Sequence, residues 1–179
     1  MKIVNLCFIT LMLCITSLAA TETRQRLEKA LTYVPQAKLV GEGRMRYLFW
    51  DIYDASLYSV EGRFRSDKPF ALSLSYHRDI AGVEIAQRSI KEIKQQALCA
   101  STHLSRWEKM MSDIFPAVSE GDVLTGVRDS QGNARFFYNG REIGVINEPD
   151  FTQCFFAIWL DEKTSEPKLR QRLLGNANG

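Results

Sequence analysis

Few residues in this 179-residue sequence are of a type and spacing that could do chemistry. There are two histidines, His77 and His103. No nucleophile or orienting acid stands beside His77, and general-base work requires placed partners. His77 therefore reads as a surface or hydrogen-bonded side chain. Cys99 and His103 are four apart and could share a helix face, but a metal needs further ligands that the sequence does not offer. Asp51 and Asp54 could act as paired acids; a turn residue and a strand-face residue account for them more simply. Nucleophile-elbow, phosphate-loop and dinucleotide patterns are absent. No catalytic residue, metal or cofactor is assigned. Arg44 and Arg46 are the more distinctive pair, because two-residue spacing in a strand puts them on one face.

That strand belongs to the segment LVGEGRMRYLFWDIYDASLY, Leu39 to Tyr58. Met45, Tyr47 and Phe49 alternate with Arg44, Arg46 and Leu48. Further on, Tyr53, Ala55 and Leu57 alternate with Ile52, Asp54, Ser56 and Tyr58. Aromatic-rich alternation predicts two antiparallel strands, each covered on one face, with Trp50-Asp51 between them. If Met45 and Tyr47 face the core, Arg44 and Arg46 face away from it.

The other elements follow in order. Thr21 to Pro35 reads as a short amphipathic helix with Leu27, Ala30, Leu31 and Val34 on one side. Phe70 to Tyr76 alternates as a half-buried strand. Ile80 to Ala97 takes helical period, with Val83, Ala86, Ile90 and Ile93 apolar and Glu92 on the polar side. Leu104, Trp107, Met111 and Ile114 predict a second helix, capped by Ser101 or Thr102 and stopped by Pro116. Strands at Val123 to Arg128, Ala134 to Tyr138 and Arg141 to Ile146 are separated by a turn at Asp129 to Asn133 and by Asn139-Gly140, whose residues tolerate positive φ. A deeply buried helix, Phe151 to Leu160, is expected behind an Asp150 cap, and a last one runs from Glu166 to Leu174. Strands, helices, strands, helices argue an α+β domain: an antiparallel sheet covered by helices on one side.

Residues 1–20 read as a signal peptide: Lys2, an apolar run, then Ala19-Ala20. The remainder, 21–179, is one domain, exported to the periplasm or secreted, with no stable membrane anchor after cleavage. The formal net charge is +2, one unit of which leaves with Lys2. With no basic run, nothing points to nucleic acid. Cys7 and Cys14 leave with the segment. Cys99 and Cys154 remain, either as a disulfide or as two buried thiols.

GEGRMRYLFWDIYDASLY, ALSLSYHRDI before a long helix, EGD, FYNGREIGVI, FFAIWL and LLG come in the order of the chalcone isomerase-like proteins. The chain resembles their bacterial exported branch over Leu39 to Gly175. The resemblance implies an open-faced β-sandwich with a ligand cleft between sheet and helices. It implies that Arg44, with Arg46 as fallback, contacts the anionic end of a ligand, since the planar guanidinium fork holds a carboxylate bidentately. An ion pair of Arg44 with Glu42 or Asp54 is the alternative. Tyr53 falls near the isomerases' threonine and Gln87 near their asparagine. Ile80 stands where their tyrosine belongs. The expectation is a non-catalytic binder of a small apolar or fatty-acid-like molecule. The alternatives are an intramolecular lyase or isomerase, and an accessory protein whose cleft is filled by Trp107, Phe155 or Trp159. No protein partner is implied.

Overall fold

The computed structural model describes residues 26–176. The expected signal peptide at 1–20 lies outside them. Six strands, β1 Ala37–Tyr47, β2 Trp50–Val60, β3 Phe70–Tyr76, β4 Val123–Arg128, β5 Ala134–Tyr138 and β6 Arg141–Ile146, form one antiparallel sheet in sequence order. Each strand pairs with its neighbour in the chain, so short turns and one long helical excursion suffice to build the sheet. Asn139 and Gly140 have φ of 49° and 82° and close the β5–β6 hairpin as their residue types require.

Helices α2 (Gly82–Gln96), α3 (Leu104–Ile114), α4 (Pro149–Leu160) and α5 (Pro167–Leu173) cover one sheet face. Leu57, Phe70, Leu72, Leu74, Tyr76, Leu124 and Phe136 point into that main core. α4 is buried on most sides because its apolar residues do not keep to one stripe. Phe155 lies against Phe151, Phe136 and Trp159, with ring centroids 5.2–5.5 Å apart. α5 lies directly on β1, which has glycines at the crossing. A Cβ on Gly41 would run into the Arg172 carbonyl, and one on Gly43 would press on Leu169.

Several expectations are corrected. The helix at 26–31 (α1) does not join the others: Ala30 and Val34 pack with Ala71, Val127 and Phe137 on the opposite sheet face. Neither Ser101 nor Thr102 caps α3. Ser101–His103 form a 3-10 turn that runs straight into it. α4 starts at Pro149, with Glu148 rather than Asp150 at its cap position. The Glu148 carboxylate instead accepts from Trp107 Nε1 (2.9 Å) and pairs with Arg106 (2.7 Å), tying α3 to α4. Cys99 and Cys154 form a disulfide with Cα atoms 6.2 Å apart, which fastens the α2–α3 link to α4 and removes Cys99 as a metal ligand.

The first hairpin turns at Leu48-Phe49, with Tyr47 opposite Trp50, two residues before the expected turn. Its tip residues Tyr47, Leu48, Phe49 and Trp50 are exposed, Tyr47 against expectation. A register shift follows: Met45 pairs with Tyr53 but Arg46 pairs with Asp51, leaving Ile52 as an extra residue. A bulge reverses the in–out phase of the strand beyond it. Ile52 thereby turns to the same side as Tyr53, and Asp51 joins the arginines.

Candidate functional site

The main core is not completely filled. Between the sheet, α2 and α4 lies a cavity of about 280 Å³. Met45, Ile52, Leu74, Leu124, Ile80, Ile85, Phe155 and Ile158 give it mostly apolar walls. Strand alternation delivers Tyr53 and Tyr76 from β2 and β3; helical spacing delivers Ile85, Arg88, Ser89 and Glu92 from α2. Trp159 comes from α4, and Ser165 and Glu166 from the link into α5. A larger groove of about 590 Å³ runs past Asp67, Arg128, Gln153, Asp161 and Arg170, with a more polar lining. The smaller cavity is the better candidate, because ligand sites are apolar with a few convergent polar groups.

Those polar groups are specific. Trp159 Nε1 donates to Tyr53 Oη at 2.9 Å. Burial pushes the Tyr53 phenol up to about 12, against the opposing effect of the Trp159 N–H. Tyr76, edge-on to Tyr53 with centroids 5.8 Å apart, is raised by burial and by Tyr53. Both phenols stay protonated at neutral pH and are available as donors rather than bases. Glu92, expected on the polar side of its helix, is 4% exposed. Its Oε2 accepts from Ser165 Oγ at 2.7 Å. Its Oε1 has no hydrogen bond, yet Arg88 Nη2 lies 2.6 Å away; the contact is an ion pair without hydrogen-bond alignment. The Glu166 carboxyl is raised, first by burial and then by the charge of Glu92.

Of the residues expected at a ligand, the structure brings Tyr53 to the cavity. Gln87 is exposed on α2 and outside the lining, and the neighbouring Arg88 is the arginine that lines it. Arg44 and Arg46 are on the other face of the hairpin. Arg44 Nε donates to Asp54 Oδ1 at 2.6 Å and Nη1 to Asp51 Oδ2 at 2.7 Å, while Arg46 Nε takes Asp51 Oδ1 at 2.6 Å. The Arg44 hydrogen bond holds Asp54 below the usual carboxylate range, and Asp51 is lowered chiefly by Arg46. His77 Nε2 completes this network at 2.8 Å from Asp54 Oδ2. His103 stacks on Trp107, and no group of metal-ligating side chains occurs among the described residues. Sequence reasoning passed over Glu92, Glu166, Arg88 and Tyr76. The available signals were Tyr76 on the core face of β3 and a carboxylate seven residues from Ile85 on the inner stripe of α2.

The family described as chalcone isomerase-like matches residues 25–175, nearly all of the chain. The chain belongs to the chalcone isomerase-like family. It is also similar to an uncharacterized protein of Haemophilus influenzae, 28% identical over 137 residues that span 76% of this chain and 67% of that one. Among solved structures, it is similar to a fatty-acid binding protein of Arabidopsis thaliana, with a TM-score of 0.63, 11% identity, and coverage of 79% and 88%. At that identity the likeness is one of fold. Ile80 presents an aliphatic side chain to the cavity.

Proposed function

We propose that this protein is an exported, non-catalytic binder that holds a small apolar or amphipathic molecule in the cavity between the sheet, α2 and α4. The observation that carries the reading is an apolar cavity that Phe155 and Trp159 line without filling, while Trp107 is packed away from it at 1% exposure. That favours a binder over an accessory protein with a closed cleft. At about 280 Å³ it stands near the lower end of the roughly 300–1,000 Å³ common for ligand pockets, so the ligand is small or its tail extends outward. The fatty-acid binding of the Arabidopsis protein supports the ligand class by analogy of fold alone. The disulfide supports an oxidising compartment and hence export.

The isomerase alternative has less support: Tyr53 and Tyr76 are held protonated and Ile80 offers no proton, which leaves only the carboxylates of Glu84, Glu92 and Glu166 for proton chemistry. Two measurements test the proposal. Native mass spectrometry of protein from its own compartment should find a bound small molecule. Delipidated protein should bind the uncharged dye Nile red saturably, and Ile85→Trp, which fills the cavity from α2, should abolish the signal. Equal binding by wild type and Ile85→Trp would refute the site. Chalcone cyclisation above a no-protein control would favour the enzyme.

A further inference from the structure

We infer that the cavity selects an amphiphile whose head group is a hydrogen-bond donor, an amine or a hydroxyl, and rejects anionic heads, with the Glu166 carboxyl as the contact. This rests on the binding reading above and names the ligand class for that site.

The charged groups lining the cavity are Arg88, Glu84, Glu92 and Glu166. The only cation among them is already matched, since Arg88 lies 2.6 Å from Glu92. The second oxygen of Glu92 is taken by Ser165. Glu84 reaches back to the Ala81 amide at the start of its helix, at 3.4 Å. Glu166 differs. Its backbone N–H donates to Thr164 Oγ1, but its carboxyl has no hydrogen-bond or ion-pair partner among the described residues. It faces an apolar space beside the Glu92 charge, and both conditions favour its protonated form.

A carboxylate ligand would bring a further negative charge to a site whose one arginine is already charge-paired with Glu92. Coulomb repulsion in this partly desolvated setting is stronger than in water. An ammonium would supply the counter-charge that Glu166 lacks. A hydroxyl could donate to Glu166 and accept from a phenol: the Tyr53 and Tyr76 protons have no acceptor among the described residues, and the Tyr53 oxygen is already engaged by Trp159.

The test is calorimetric titration of delipidated protein with dodecylammonium, dodecanol and dodecanoate, which share one tail and differ in the head. Dodecylammonium should bind at least about ten-fold more tightly than dodecanoate, with dodecanol between them. Glu166→Gln keeps the shape and removes the carboxyl that an ammonium would hold in its ionised form, so it should reduce the ammonium preference by about ten-fold. Circular dichroism confirms that the variant is folded. Dodecanoate binding as tightly as the ammonium, or a preference unchanged in Glu166→Gln, would overturn the inference and leave the binding reading intact. No saturable binding of any of the three would remove both.

Discussion

Removing the Cys99–Cys154 bond should have a large effect. The bond closes a loop of 55 residues, which contains all of α3 and the β4–β5–β6 meander. Restricting the unfolded chain over such a loop contributes about 4 kcal/mol at 25 °C on the chain-entropy account. For a protein of this size, each kcal/mol moves the melting temperature by about 2–4 °C, so reduction should lower it by roughly 8–16 °C. Cys99→Ala/Cys154→Ala should behave like the reduced wild type, apart from a smaller loss from the vacated volume at Cys154, which is 6% exposed. Guanidinium unfolding of oxidised, reduced and doubly substituted protein measures the difference, and peptide mapping without reductant identifies the bond. Coincident unfolding midpoints for oxidised and reduced protein, or maps lacking the linked peptide, would refute the reasoning.

Four further outcomes are expected. Gly41→Ala should destabilise by more than about 3 kcal/mol or prevent folding, because the new methyl meets the α5 backbone rather than a side chain that can move; calorimetric melting checks this. Burial alone would raise Asp129, but the Asn133 and Gln131 amides and the Arg135 guanidinium outweigh it and leave the carboxyl below its ordinary value. Its contribution is complete above the unfolded carboxylate range near about pH 4 and is lost as pH falls through the lower folded value, so stabilities of wild type and Asp129→Asn should differ at neutral pH and converge in acid. Arg44→Ala should leave cavity affinity within about two-fold, since the side chain lies outside the lining; a ten-fold loss by calorimetry would bring Arg44 back to the ligand. Finally, N-terminal sequencing of protein from the periplasm or medium should begin near Ala20 or Thr21, and intact Met1 in the cytoplasm would contradict export.

The sequence by itself determined the order and type of the elements. Phe70–Tyr76 and the three later strands were legible residue by residue, because short runs rich in β-branched and aromatic residues are bounded by turn signals such as Asn139-Gly140, although Phe70–Tyr76, expected half-buried, is covered on both faces. The helices were legible to within a few residues from their apolar stripes. Four decisions needed tertiary structure. The bulge at Ile52 reverses the strand phase, which alternation cannot signal in advance, and it sends Asp51 to Arg44 while Ile52 faces the cavity. α1 chose the opposite sheet face, because an amphipathic stripe says that a face is buried but not against what. The cysteines met only because α4 docks beside the end of α2, where Gln96 Nε2 donates to the Ala157 carbonyl at 3.1 Å. The polar end of the cavity joins Glu92 to residues more than seventy positions later. A lone glutamate on a helix reads as solvated surface until packing removes the water and leaves Ser165, Arg88 and Glu166 as its surroundings.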